Sequence, residues 1–156
     1  HSASLSRGAH LPQAARTAHT MRIPSRPEFA VHVRKEAFRR ARLAGFSSPE
    51  AEAVALAVHE AVINAIEHGN RSDPDRVVAV TFADEAAALV IEVRDEGSAV
   101  EPGAPASGPL PSAGEPRGRG IPLMRALMDD VQLFPERGRV TLRRRKPSPT
   151  DVADGG

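Results

Sequence analysis

Glu60, Asn64 and His68 recur at intervals of four in the segment HEAVINAIEHG, residues 59–69. On a helix this spacing projects all three side chains from nearly one face. The surrounding residues are almost all apolar, and ionisable or amide groups in such a setting need partners. A row of this kind either forms a satisfied polar stripe against neighbouring backbone or faces a ligand. Two later glycine turns favour the ligand. Asp95-Glu-Gly97 closes a β-branched run, where a short acceptor side chain and a glycine let a flat molecule approach the backbone. Gly118-Arg119-Gly120 stands ahead of an apolar periodic segment, where free N–H groups and the positive end of a helix dipole favour phosphate. The chemistry suggested is the binding of a flat, phosphorylated molecule. His59 and His68 are left outside the catalytic set, because a partly exposed helix histidine is more often inert.

The elements that must position these residues are legible in the hydrophobic periodicity. Ser25-Arg-Pro-Glu28 has the form of a capping box, predicting a helix through Phe29, Val33, Ala37, Ala41 and Ala44 with Gly45 as its stop. Ser47-Ser-Pro-Glu50 repeats the starting signal for a second, buried helix running to His68 and ending at Gly69-Asn70. Residues 76–83 and 88–94 read as a β-hairpin. Residues 98–117, rich in proline and glycine, read as a functional lid. A helix carrying Ile121, Leu123, Met124, Leu127 and Met128 should follow Gly120, with Pro122 in its first turn. A second hairpin over 131–134 and 139–145 completes an α+β two-layer sandwich, a mostly antiparallel sheet with helices on one face. The expected organisation is a tail over 1–22, one domain over 23–146 and a second tail over 147–156. Arg143-Arg-Arg-Lys146 reads as a solvated edge that discourages strand pairing.

Composition narrows the function. The chain has 156 residues, 40% of them hydrophobic, enough for one core. Cysteine is absent, which argues against disulfides, thiolate chemistry and a cysteine-based zinc site. No apolar run is long enough to span a membrane, and a cytoplasmic location is expected. The net charge of +1 conceals nine basic residues against two acidic ones over 1–45, six against fifteen over 46–135, and six against three over 136–156. An acidic middle with no Trp or Tyr does not suit direct nucleic-acid binding.

Together the motifs resemble the GHKL ATPase superfamily, with its Bergerat fold, and more narrowly its small anti-sigma-factor serine/threonine kinases. The resemblance covers roughly residues 23–145. It rests on His59 to Gly69, on Asp95-Glu-Gly97, on Gly118-Arg-Gly-Ile-Pro-Leu-Met124 leading into Leu127-Met-Asp-Asp-Val131, and on the opening Ile23-Pro-Ser-Arg-Pro-Glu28. It implies ATP and Mg2+ as cofactors, with Asn64 as the magnesium ligand and Glu60 as the general base. It further implies that Asp95 accepts a hydrogen bond from the adenine amino group and that Gly97 makes room for the ring. Gly118, Arg119 and Gly120 would meet the phosphates under the lid. The implied partners are a sigma factor and an anti-sigma-factor antagonist, met by a homodimer that switches between them.

Three departures from the family pattern bear on activity. Ala99 stands where a second glycine is common, and Arg139 follows Gly138 where a threonine often supports adenine. Arg117 and Arg119 flank Gly118 in a register that differs from the usual lid arginine. These departures keep a second reading open, a non-catalytic, nucleotide-gated interaction module of the same fold.

Overall fold

The computed structural model describes residues 15–97 and 116–148. Strand β1 (Ala15–Pro24) leads through a short 3-10 turn (Pro27–Phe29) into helix α1 (Ala30–Leu43). Helix α2 (Ser48–Asn64) follows and continues as one π-helical turn (Ala65–Gly69). Strands β2 (Val77–Glu85) and β3 (Ala88–Arg94), helix α3 (Pro116–Leu127), and strands β4 (Asp130–Phe134) and β5 (Arg139–Arg145) complete the chain order. Among the described residues the strands form one antiparallel sheet in the order β1-β2-β3-β5-β4.

The helices cover one face of this sheet, as the α+β reading expects. Alternation selects that face: Val78, Val80 and Phe82 from β2, Leu89, Ile91 and Val93 from β3, and Leu142 from β5 are buried. Ala30, Val33, Ala37 and Ala41 of α1 and Ala51, Val54, Val58 and Val62 of α2 meet them in one core. The small side chains along α1 and α2 let the two helices pack closely on each other and on the sheet. On α1, burial raises the pKa of Glu36, but hydrogen bonds from Arg39 and Arg40 outweigh it and hold the carboxyl below its usual range. The opposite sheet face carries Thr20, Thr81 and Glu92, and the hydroxyls of Thr20 and Thr81 share a hydrogen bond of 2.9 Å.

Four expectations change here. Residues 15–22 are not tail: they belong to β1, which pairs with β2 from Ala15↔Glu85 to Pro24↔Val77. The segment earns its place by turning Ile23 into the core and packing Met21 against it. Ser25 does not cap a helix. It is buried, donating its hydroxyl to the Arg76 carbonyl at 2.7 Å and accepting from Asn70 Nδ2 at 2.8 Å. Arg26 takes the cap position of the 3-10 turn without a side-chain bond. The signal at Ser47 is a true capping box, with Glu50 N–H donating to the Ser47 hydroxyl and Ser47 N–H to the Glu50 carboxylate.

The third change is in α3, which starts at Pro116, so residues 116 and 117 are helix rather than lid and Gly118, Arg119 and Gly120 lie inside it. Proline is well suited to a first helical position because it has no N–H to leave unpaired. Pro122 therefore sits in the helix interior. Fourth, the basic run at 143–146 is no edge. β5 lies between β3 and β4, and Arg144 pairs with Glu50, Arg145 with Asp129 and Lys146 with Asp84. The remainder of the expected lid, 98–115, and residues 149–156 lie outside the described residues.

Candidate nucleotide-binding site

A cleft of about 640 Å³, including its open mouth, lies between the end of α2, α3 and the strand ends of β3, β4 and β5. Val93 and Val140 from the sheet and Ile121 and Met124 from α3 give it apolar walls, while Leu133, Phe134 and Pro135 close one side. Asn64 and His68 line it from the helix, and Asp95 supplies a carboxylate beside Gly69 and Gly138. A slot with apolar walls and one acceptor suits a flat heteroaromatic base.

The backbone around Asp95 is built so closely that side chains are excluded. A Cβ on Gly69 would collide with the Asp95 carboxylate, and one on Gly97 would collide with the Gly69 carbonyl. At Gly138, whose φ of +59° also favours glycine, a Cβ would come within 2.5 Å of Asp95 Oδ1. Asp95 N–H donates to the Gly138 carbonyl at 2.7 Å, and Gly97 N–H donates to Asp95 Oδ1 at 3.0 Å. The π turn permits this approach. Asn70 N–H reaches back five residues to the Ala65 carbonyl at 2.8 Å, widening the last turn of the helical run.

Glu60 and Asn64 are half-buried on successive turns of α2, and Asn64 lines the cleft. Gly120 packs on both: a Cβ there would stand 3.0 Å from Asn64 Nδ2 and 3.3 Å from Glu60 Oε1. The fold thus brings Glu60, Asn64 and Gly120 together at one end and Asp95 with Gly97 at the other. Gly118, the third residue of α3, lies where amide groups have no helical acceptor, and Arg119 follows it. Gly120 comes next, and helix geometry directs its N–H to the carbonyl of Pro116, four residues earlier in the same helix. Among the described residues no cluster of three or more His, Cys, Asp or Glu side chains could hold a metal. Magnesium needs no such cage when phosphates and water supply most of its ligands, so a single Asn64 amide oxygen fits that ion.

Residues 23–144 match the histidine kinase-like ATPase domain family. The anti-sigma F factor of Clostridium acetobutylicum is 34% identical over 123 residues, covering 73% of this chain and 85% of that protein. The chain belongs to this family. Within it, the serine-protein kinase RsbW of Listeria monocytogenes is 30% identical over 127 residues, covering 76% of this chain and 80% of its own length. An anti-sigma F factor from Geobacillus stearothermophilus is 31% identical over 120 residues, 71% of this chain and 82% of that protein. The chain is an ATP-using member of the anti-sigma-factor serine kinases of the histidine kinase-like ATPase family.

Arg139 opens β5. It borders the cleft, yet its guanidinium lies 4.5 Å from the centroid of the Phe134 ring and donates to Glu92 Oε2 at 3.3 Å, on the sheet face away from the helices. Gly138 is the residue against Asp95. Ala99 lies outside the described residues, and nothing is described of the side chains of Arg117 and Arg119. His59 is half-buried next to Glu60, and its Nδ1 is buried without a hydrogen-bond partner among the described residues. Burial, and then the Arg34 charge, push the imidazole below its ordinary pKa of 6.5, while Glu60 pulls the other way. Sequence reasoning missed one residue altogether. Asn70, read only as a helix stop, is fully buried and ties the Asp95 turn to the rest of the domain.

Proposed function

We propose that this member of the family is a magnesium-dependent protein serine/threonine kinase that holds a sigma factor inactive and phosphorylates an anti-sigma-factor antagonist. It would work as a cytoplasmic homodimer whose nucleotide state selects between the two partners. Among the described residues no helix is long and apolar enough to cross a membrane. The observation that carries the reading is the convergence of Glu60, Asn64 and Gly120 beside a largely apolar cleft that Asn64 and Asp95 line.

ATP with magnesium supplies the transferable phosphoryl group and spreads its charge. Asp95 accepts from the exocyclic amine of the base, and the glycine-lined backbone around it leaves the ring space. Asn64 offers its amide oxygen to magnesium at the mouth. Glu60, one helical turn away, takes the proton from the acceptor hydroxyl of the antagonist. Gly118 turns a free amide toward the phosphates, and Gly120 and Arg119 join it as the first turn of α3 yields.

Phosphotransfer to a candidate antagonist bearing an acceptor serine tests the reading. Glu60→Gln lowers the transfer rate by about 10²- to 10⁴-fold, the usual contribution of a positioned base, with nucleotide affinity within about twofold of wild type. Full transfer by the variant would remove Glu60 from that role. Tight binding by the wild type, with no transfer to any candidate, would favour the interaction-module reading instead.

A further inference from the structure

Asn70 stands outside the nucleotide cleft, yet every polar group it has is in use. Its backbone N–H donates to the Ala65 carbonyl at 2.8 Å, and its own carbonyl accepts from Asp73 N–H at 3.0 Å. Its Nδ2 donates to Ser25 Oγ at 2.8 Å and to the Val77 carbonyl at 3.1 Å. Its Oδ1 accepts from Glu96 N–H at 2.7 Å. With a relative exposure of 0%, the side chain performs this in a setting where lost partners are not replaced by water. Four separate segments meet at one amide: the end of the π turn, the end of β1, the start of β2 and the turn after β3.

The last of these bonds matters for the site. Glu96 follows Asp95 directly, so fastening the Glu96 N–H fixes the peptide plane from which the Asp95 backbone and side chain depart. The same stretch of chain sets the other boundary, because Gly69, the neighbour of Asn70, packs its Cα against the Asp95 carboxylate. Glu96 adds a second tie by accepting Val77 N–H on its own carboxylate at 2.8 Å. No other amino acid supplies two donors and one acceptor in this volume. Asp lacks the donors, Ser lacks the reach, and Gln is one methylene too long for a packed interior.

We infer that Asn70 is a positioning residue for base recognition: it aims the Asp95 carboxylate by holding the Glu96 amide, and so sets the discrimination between purines with and without a 6-amino group. The inference rests on the reading of Asp95 as the acceptor for that amine. It assigns Asn70 no contact with nucleotide and no part in phosphoryl transfer.

The test is a calorimetric comparison of ATP with purine riboside triphosphate, which lacks the amine, on the wild type, Asn70→Ala and Ser25→Ala. The wild type binds the purine analogue at least about tenfold more weakly, as expected for a hydrogen bond to a charged acceptor. In Asn70→Ala the ratio falls to about twofold or less, and the Glu96 amide exchanges its hydrogen faster in the nucleotide-free protein. Ser25→Ala, which removes one of the two acceptors of the Asn70 amide, gives an intermediate ratio and carries the test if Asn70→Ala does not fold. A wild type that binds both triphosphates equally would overturn the role of Asp95 and the inference with it. A discriminating wild type, together with folded variants that discriminate equally well, would overturn the role of Asn70 alone.

Discussion

The two ends of the cleft are built on opposite principles. Around Asp95 the backbone is pinned from every side, by Gly138, by Gly97, and by the buried amide of Asn70, and glycines bring the chains closer than any side chain would allow. Around Glu60 and Asn64 the covering element is the start of α3, which holds Gly118 and Gly120 and has Pro122 inside it. Each glycine weakens a helix by about 1 kcal/mol relative to alanine, and an interior proline costs about 3 kcal/mol and leaves the carbonyl four residues earlier, here that of Gly118, without its helical donor. The Asp95 end is preorganised, and the end at Glu60 and Asn64 can yield. Such a division suits a site that must recognise one base rigidly while its phosphate cover responds to what is bound.

The comparison breaks most sharply at Asp95. Asp95→Ala should weaken ATP binding by about 10- to 100-fold, the loss of a charge-assisted hydrogen bond in a preformed pocket. Its backbone bond to Gly138 survives the change, so the far-ultraviolet circular dichroism spectrum should not move. Unchanged affinity, measured by calorimetry, would show that the rigid end is not the recognition end. Pro122→Ala probes the yielding end with a smaller effect of opposite character. Restoring the missing helical bond should raise the thermal midpoint by a few degrees. It should also weaken ATP binding by about three- to tenfold, because the form with free amides becomes rarer. Tighter ATP binding by this variant would contradict a cover that has to loosen.

Much of this contrast was open to a reader of the sequence, and the reasons for the gaps are physical. The capping box at Ser47, the apolar α2, the turn at Gly138 and the three motif segments are local signals, set by residues a few positions apart. β1 was hidden because its partner lies about sixty residues away and no turn residues mark it. The four-way role of Asn70 was hidden for the same reason: its partners Ser25, Val77 and Glu96 are neighbours only in the folded state. The burial of Ser25 gave a false cap, since a serine followed by proline and glutamate looks the same whether it ends a strand or opens a helix. The orientation of Arg139 was legible in principle. Val140 packs against the core and Leu142 lies within it, so strand alternation puts Arg139 on the other face.

A smaller effect comes from His59 beside Glu60. Its folded pKa is lowered, so the unfolded chain takes up the proton first as pH falls through about 6.5. The stability that this neutral, partly buried imidazole permits is fully present above that pH and is lost as the pH drops toward the lower folded value. Thermal midpoints at pH 7.5 and 5.5 should therefore differ more in the wild type than in His59→Gln. Equal differences would place the acid sensitivity elsewhere.

Asn64 is proposed to hold a magnesium nucleotide beside this cleft. The most direct measurement is calorimetric titration with a non-hydrolysable ATP analogue, with and without magnesium, on the wild type and on Asn64→Ala. That role of Asn64 predicts magnesium-dependent binding by the wild type, and loss of the magnesium dependence with affinity about tenfold or more weaker in the variant. Equal affinity in the two proteins, or binding indifferent to magnesium in the wild type, would contradict it.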